Sequence, residues 1–583
     1  MRKVLALAVL LPLLVWAAGR ADFTRVQTVR NPDDAALRSD APVRSDVKWS
    51  DTPCDLMGRL DTIGGTTYEW QFNGPALVNC FCDPGFGVHG AWMFSADMGG
   101  TYPDRNMRYN FLDFSTGQWA FNMGASFMDF GVNSFSVRTG FGNLDVNPND
   151  HCAYISAHEA PSGVYAPVVG KDAAPGTGVF EECVGPDNYL WPAISISRPG
   201  TVHVGLIQDP ARTDLYYSKI APWCTWSEPI EFASPAPQPA FSDQAVAASR
   251  DSSLVCVTWV VNADPEPCFY RMSEDDGATW TDPTELLAPP TFTPGSETTA
   301  SFNISSVYPF YASGGRLHIV ASVMPYIGGS GYTIPAEIWH WTTDQGWNLV
   351  HRYPYPTDTL NLRAPVGYNA LFATRPTLCE AQDGELICVW EQFDTFNFEP
   401  STGYSRADIF AARSQDDGLH WGDAIRLTDV DSTSKRFPTV ATKTHGDTCY
   451  VLYVIDQIAG MSLYQQGPIT TNPVVVQRFV KDVLPPPPPA VAEKTSVPRA
   501  LGLEVGANPF RGAAAISYSL PCPAEVKLGI YDVTGKLKTM LVNSQSSAGR
   551  HNLVWHAAGA QPGIYFCRLT TGNTVISRKL TLL

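Results

Sequence analysis

A unit that recurs between about residues 74 and 480 restricts this chain more than any other feature. A proline or polar residue opens a short alternating strand. A turn rich in Gly, Asp or Asn follows, then a strongly apolar strand, a third strand and a Trp. Trp191-Pro192-Ala193-Ile194-Ser195-Ile196 turns at Pro199-Gly200 into Val202-His203-Val204-Gly205-Leu206-Ile207. Arg375-Pro376-Thr377-Leu378 turns at Asp383-Gly384 into Leu386-Ile387-Cys388-Val389-Trp390, and Phe437-Pro438-Thr439-Val440-Ala441 turns at Gly446-Asp447 into Cys449-Tyr450-Val451-Leu452-Tyr453. About seven such units begin near residues 74, 134, 188, 240, 300, 372 and 434. Copies of a small unit that cannot bury its own apolar face must stack on one another.

Spacings of about 45–65 residues predict four-stranded blades with variable loops. The expected fold is all-β: a six- or seven-bladed β-propeller, seven favoured, followed by a small Ig-like β-sandwich. The 47 Gly, 47 Pro and abundant Trp and Tyr suit short strands joined by turns. No amphipathic helical run of useful length appears, which argues against α/β alternatives.

Two units end in a sharper motif. Ser273, Asp275, Gly277 and Trp280, like Ser414, Asp416, Gly418 and Trp421, spell Ser-x-Asp-x-Gly-x-x-Trp. Thr342-Thr-Asp344-Gln-Gly346-Trp347 is a shortened relative, and Asp113-Phe-Ser-Thr-Gly117-Gln-Trp119 a distant one. The pattern predicts a tight turn in which Ser and Asp accept turn amides, Gly takes positive φ and Trp packs inward. These motifs resemble the Asp-box (bacterial neuraminidase, BNR) repeats of sialidase-like β-propellers. The resemblance implies a structural role for the turns, on the face away from any active site.

In a propeller the starts of inner strands and the ends of second strands share one face around the central channel. That face collects Arg375, Arg436, Trp191, Arg406 and Asp456 as ligand-binding candidates. Glu391, Asp394 and Tyr404 are the catalytic candidates if the protein is an enzyme. Arginines give bidentate contacts to an anionic sugar, while carboxylates and Tyr supply acid, base or nucleophile. Sialidases use three arginines, the first in an Arg-Ile-Pro-type motif of the opening blade. Here the opening unit reads Gly74-Pro75-Ala76-Leu77-Val78-Asn79-Cys80, without such an Arg, so a sialidase site does not carry over.

The N-terminus has the form of a secretory signal over residues 1–21: Arg2 and Lys3, an apolar run from Val4 to Trp16, then small residues to Ala21. That apolar run is too short to span a bilayer, which needs about 20 residues, and no transmembrane segment is expected elsewhere. Formal charge is -17, and removing Arg2, Lys3 and Arg20 leaves -20. Nucleic acid is therefore an unfavoured partner. Residues 501–583 hold eight Lys/Arg against three Asp/Glu, or +5, which leaves -25 on 22–500 and argues for two units with separate jobs.

Export permits disulfides among the 13 Cys. A two-residue Asp383-Gly384 hairpin turn would set Cys379 opposite Cys388. Cys256 and Cys268 are a second candidate pair across a wider loop. Cys80 and Cys82 lack zinc spacing, and neither a metal nor another cofactor is expected. Asn303-Ile304-Ser305 fits the glycosylation sequon, in a bacterial setting by chance.

Leu484 and the five prolines after it open a stiff linker at 481–502. Residues 22–73 precede the first unit and are expected to supply an outer strand that closes the ring. The 74–480 segment is the propeller. Residues 503–583 alternate and turn as a compact antiparallel sandwich: Gly506-Ala-Asn508-Pro509-Phe510, Glu525 to Lys536, Gly549 to Trp555, Gly563-Ile564-Tyr565-Phe566 and Arg578-Lys579-Leu580. In order and wording they closely resemble the type A C-terminal sorting domain of the type IX secretion system. The resemblance implies passage through the outer membrane of a Gram-negative-type bacterium, with the secretion machinery as partner.

The expected function is non-catalytic binding of a glycan or surface protein on the channel face. A sialidase-type glycoside hydrolase is the alternative, and a structural surface-layer component the second.

Overall fold

The structure is a computed structural model. It describes residues 56–72, 76–212, 214–233, 241–261, 267–289, 301–327, 330–331, 333, 336–353, 363–488, 502–506, 508–520, 524–546, 549–557, 559–571 and 574–583. The signal segment and Asn303 lie outside the residues whose side chains are described. The chain divides into two compact units, Met1–Pro487 and Pro488–Leu583.

The first unit is all antiparallel β. Helical structure among the described residues is confined to short 3-10 turns at Phe127–Asp129, Ser462–Tyr464 and Lys481–Val483. Among the described residues, seven sheets of four or five strands follow one another along the chain. Their first strands are Cys80–Asp83, Thr139–Gly140 continued by Leu144–Val146, Tyr189–Ile196, Phe241–Ala248, Ser301–Tyr311, Ala373–Glu380 and Ser434–Val440. Each first strand packs against the first strand of the next sheet or its immediate neighbour, and Ser434–Val440 packs back against Cys80–Asp83. The seventh sheet takes its outer strand from the other end of the chain. Arg59–Thr66 pairs antiparallel with Asn472–Val480, from Arg59 opposite Arg478 to Thr66 opposite Asn472. An edge that would otherwise stay open is thereby covered.

The apolar second strands explain themselves by position. Every residue of Val255–Val261 is buried, as is every residue of Gly87–Phe94. A strand covered on both faces has no solvent side, so the alternation expected of a half-exposed strand disappears. Large aromatic side chains fill the space between sheets: Trp92, Trp259 and Trp390 are each no more than 1% exposed.

The X-Pro openings of the sequence units have a structural consequence. In the third, sixth and seventh sheets the first strand carries one extra residue against its partner, between Leu190 and Ala193, Thr374 and Thr377, and Arg436 and Thr439. The bulged residues Trp191, Arg375 and Phe437 all hold positive φ, at 51°, 56° and 57°. Proline lacks the N–H the ladder would use, so a bulge forms at that point and turns the preceding side chain out of register.

The two Ser-x-Asp-x-Gly-x-x-Trp turns share the same Ser and Asp hydrogen bonds. Gly277 N donates to Ser273 Oγ at 2.9 Å, and Thr279 N donates to Asp275 Oδ1 at 2.7 Å. Gly418 N donates to Ser414 Oγ at 2.9 Å, and His420 N donates to Asp416 Oδ1 at 2.8 Å. Trp280 packs on Tyr217 and Phe232, and Trp421 on His340. Each turn also docks on the preceding sheet through its second aspartate. Asp276 accepts from Ser197 Oγ at 2.5 Å and Thr201 Oγ1 at 2.6 Å and lies 3.1 Å from His203 Nε2. Asp417 pairs with Arg316 and lies 3.4 Å from His318 Nε2. A Cβ on Gly277 would meet Tyr217 Oη, and one on Gly418 would meet His340, each at 2.0 Å. Close approach and positive φ together require glycine there.

The expected disulfides do not form. Cys379 lies opposite Ile387, and Cys388 opposite Leu378. The hairpin closes with Ala381 N donating to Glu385 O and Gly384 N to Ala381 O, a three-residue loop rather than two. That one-residue difference puts the two cysteines on opposite faces of the sheet. Cys379 packs with Val451 and Val475 of the seventh sheet, Cys388 with Val320 and Met324 of the fifth. Cys256 stands opposite Met272, and Cys268 opposite Val260, so these two are not partners either. Among the described residues a bridge joins Cys183 to Cys224.

The second unit has a three-stranded sheet (Gly502–Val505, Ala513–Leu520, Gly549–His556) and a four-stranded sheet (Leu537–Ser546, Ala524–Asp532, Gly563–Thr571, Thr574–Leu582). One core joins them, with Ile516, Leu528, Trp555, Cys567 and Leu580 buried.

Candidate functional site

Three groups of side chains gather at the end of the first unit where inner strands start and second strands finish. Glu391 is the centre of the first. It lies on the second strand of the sixth sheet, Leu386–Phe398, and is 0% exposed. One oxygen pairs with Arg375; the other accepts from Arg436 Nε at 3.2 Å and from Phe437 N at 2.8 Å. Burial pushes the Glu391 carboxyl up, but the guanidinium groups of Arg436 and Arg375 together outweigh it and leave it below its ordinary value. Both arginines also lie over the Phe437 ring, at 4.7 and 4.9 Å. Arg375 and Arg436 are 1% and 3% exposed. The two arginines expected to face a ligand therefore face a carboxylate of their own protein.

The second group is acidic. Glu69, on the segment that follows Arg59–Thr66, accepts from Ser462 N at 2.8 Å. Burial pushes its carboxyl up to about 7. Asp456 ends the strand Thr448–Asp456 and accepts from Ile458 N at 3.2 Å. Burial, and then the Glu69 carboxylate beside it, push its carboxyl well above the usual range. Arg436 acts on both. Glu69 Oε1 and Arg436 Nη2 are buried without a hydrogen-bond partner among the described residues.

The third group is basic and aromatic. Arg105 precedes the strand Asn106–Asp113, and its Nη1 donates to Tyr68 Oη at 3.2 Å. Its guanidinium lies 5.0 Å from the centre of the Phe141 ring. Arg138, exposed, precedes Thr139 and donates from Nε to Tyr102 O at 2.8 Å. His158, near the end of Ala153–Glu159, stacks on Phe141 at 5.7 Å and meets the Tyr165 ring edge-on at 5.2 Å. Burial, then Arg105, Arg212 and Arg138, hold His158 well below its ordinary value, so it is neutral at pH 7. Burial raises the Tyr68 hydroxyl, opposed by Arg105 and Arg138. Half-buried rings continue the wall. Trp70 meets Phe141 at 6.0 Å, Tyr368 at 5.8 Å and Tyr464 at 5.4 Å, and Tyr368 stacks on Tyr464 at 3.5 Å.

The remaining sequence candidates fall around these groups. Trp191 carries Arg212 over its ring at 5.1 Å, and its backbone N–H donates to His158 Nδ1 at 3.4 Å. Arg406 is held by Asn397 Oδ1, Phe398 O and Glu399 Oε2, at 2.8–2.9 Å, and staples its own loop. Asp394 accepts from Phe396 N at 2.8 Å. Tyr404 packs over Gly460. Arg105, Arg138, His158, Tyr68 and Tyr165 were not among the sequence candidates. The rule that picked Arg375, an arginine just ahead of an inner strand, also fits Arg138. Nothing in the sequence marks Arg105 or Tyr68, which come from other parts of the chain. No group of three or more His, Cys, Asp or Glu suited to a metal ion occurs among the described residues.

Among solved structures, an ulvan lyase of polysaccharide lyase family PL25 is similar at 11% identity, with a TM-score of 0.45 and coverage of 73% of this chain and 96% of that one. The polysaccharide lyase Uly1 follows at 12% identity, TM-score 0.41, covering 73% of this chain and 100% of its own. An α-L-arabinanase of Penicillium chrysogenum complexed with arabinobiose gives 12% identity and a TM-score of 0.30, over 51% and 95% of the two chains. No curated protein matches the sequence. No helix among the described residues is long and apolar enough to cross a membrane. Residues 507–582 match the secretion system C-terminal sorting domain. By that sorting tail this chain is a protein delivered by type IX secretion to the cell surface or the extracellular space.

Proposed function

We propose that residues 22–480 form a seven-bladed β-propeller of the sialidase-like kind, closed by the strand from 22–73, that binds an acidic glycan without cleaving it. In this reading 481–502 is the linker, and an Ig-like sandwich over 503–583 is the part the secretion machinery handles. The observation that carries the binding reading is the basic and aromatic wall. Arg105 and Arg138 stand beside Tyr68, Tyr165 and neutral His158, on a chain whose net charge is -17. Guanidinium groups recognise carboxylate or sulfate in two contacts at once. Half-buried rings at Trp70, Tyr368 and Tyr464 offer flat apolar faces to sugar rings.

A hydrolase needs two carboxyl groups flanking the scissile bond with different protonation. Glu391 is neutralised by two arginines, which supports binding over hydrolysis. A glycoside hydrolase is the second reading, favoured by the paired Glu69 and Asp456 carboxyls, whose protons burial retains.

The test uses the full mature chain against a panel of acidic and neutral polysaccharides. Binding is followed by calorimetry and new chain ends by a reducing-sugar assay. The expected result is binding of an acidic polymer, weakened about tenfold by Arg138→Ala, the scale of one lost charged hydrogen bond, and no new chain ends. Equal binding of neutral polymers, or unchanged affinity in Arg138→Ala, overturns the acidic-glycan reading. Chain ends that appear with wild type and vanish in Glu69→Gln replace it with the hydrolase.

A further inference from the structure

We propose that Cys379 and Cys449 close a second disulfide in the exported protein, joining the sixth sheet to the seventh. The backbone brings the two residues together. Glu380 N, one residue after Cys379, donates to Thr442 O at 3.0 Å across the boundary between the sheets. Ala441 N donates to Tyr450 O at 2.8 Å, continuing the ladder in which Val440 lies opposite Val451. In that register Thr442 falls opposite Cys449. Thr442 therefore borders both segments: Cys449 lies opposite it, and the residue after Cys379 bonds its carbonyl. Both side chains belong to one buried cluster, with Ala381, Val389, Val440 and Phe479, and the Cys449 thiol lies close enough to act on the Cys379 thiol.

Cys82, on the first strand of the first sheet, is the other buried thiol near both. Cys388 packs on the other face of the sixth sheet. Cys80 Sγ contacts Tyr450 O at 3.9 Å. A metal does not suit the cluster, since no set of three ligating side chains converges among the described residues. The route of export supplies the oxidant class. A chain that crosses the envelope meets disulfide-bearing oxidoreductases, and the same class must make the Cys183–Cys224 bridge. In the reaction one thiolate attacks the oxidoreductase disulfide to give a mixed disulfide. The second thiolate then displaces the oxidoreductase sulfur, so two protons and two electrons leave the protein and one S–S bond forms.

Timing follows from burial. Cys379 and Cys449 are both buried in the folded unit, and burial pushes the Cys379 thiol far above its ordinary value. A thiol without access or thiolate character does not exchange. The bond therefore forms before the sixth and seventh sheets finish packing.

The full mature chain, collected from culture medium or released from the cell surface, is denatured and alkylated without reductant, then digested and mapped by mass spectrometry. The expected result is one peptide pair linking Cys379 to Cys449, lighter by two hydrogen atoms than the separate peptides and lost on reduction. In Cys379→Ser, Cys449 becomes alkylated without reductant while the Cys183–Cys224 pair stays linked. Alkylation of both Cys379 and Cys449 in wild type that retains the Cys183–Cys224 link overturns the proposal. So does a bridge from either residue to Cys82 or Cys80.

Discussion

Glu391 on the sixth sheet and Arg436 on the seventh meet at 3.2 Å, with side chains 0% and 4% exposed. Arg375 completes the group from the first strand of the sixth sheet. Removing one member of a charge group this far from water costs the others a partner that solvent does not replace. Glu391→Gln keeps the shape but removes the carboxylate that both buried guanidiniums face. The variant is expected to lose about 3–5 kcal/mol of stability, read as a lower urea midpoint at unchanged slope. A loss under about 1 kcal/mol would mean that the guanidiniums find water or another acceptor.

The turn aspartates hold neighbouring sheets together. Asp276 takes Ser197, Thr201 and His203 of the preceding sheet at once. His203 Nε2 faces the carboxylate and its Nδ1 faces Tyr217 Oη at 2.7 Å, so the ring donates to Asp276 and accepts from the tyrosine. Asp276→Ala orphans these donors and is expected to cost about 2 kcal/mol or more. The exposed neighbour Glu274 is the control, with Glu274→Ala within about 0.5 kcal/mol of wild type by thermal or urea unfolding.

Two glycines separate backbone strain from crowding. Gly384 has φ +85° with open space where a Cβ would point; Gly418 has φ +82° with His340 2.0 Å from that point. Gly384→Ala is expected to cost about 1–2 kcal/mol, the price of left-handed backbone alone. Gly418→Ala adds an overpacking penalty of about 1–3 kcal/mol. Equal losses in the two unfolding curves would show that the sixth sheet's turn moves freely off His340.

Acid and base destabilise the fold through different residues. The Glu69 carboxyl is raised from 4.5 to about 7 in the folded protein. Its favourable contribution is complete below 4.5 and lost as pH rises through 7. Burial lowers His318 and His351 from 6.5 to about 4, and His89 and His340 to about 3. Their contribution is complete above 6.5 and lost as pH falls toward 3 to 4, because the unfolded chain binds those protons first. Glu69→Gln removes only the alkaline term. The variant is expected to exceed wild type by about 1–3 kcal/mol at pH 8 and to match it near pH 5. Urea unfolding at the two values checks this, and an equal difference at both would disprove the assignment.

The all-β meander was legible because its cause is local. An X-Pro opening, an Asp-Gly or Pro-Gly corner and a run of Val, Ile and Trp each act over a few residues. The Ser273 and Ser414 turns were legible for the same reason, since the bonds that their Ser and Asp side chains accept from turn amides span five residues or fewer. Register was not legible. A two-residue loop at Asp383-Gly384 and the three-residue loop that forms differ by one position, and that position decides which face Cys379 joins.

By itself the sequence determined the antiparallel strands, the corners between them and the export address in the last 80 or so residues, because these follow from propensity, turn chemistry and motif within short stretches. Only the tertiary structure decided which charges meet. Glu391 and Arg436 are 45 residues apart, and Glu69 and Ser462 are 393 apart. Closing the last sheet with Arg59–Thr66 brings residues 68–70 from one end of the chain to the wall built by Arg105 and Tyr464. Desolvation then fixes which of these groups stay charged. That outcome depends on neighbours contributed by distant segments, and no window of sequence contains them.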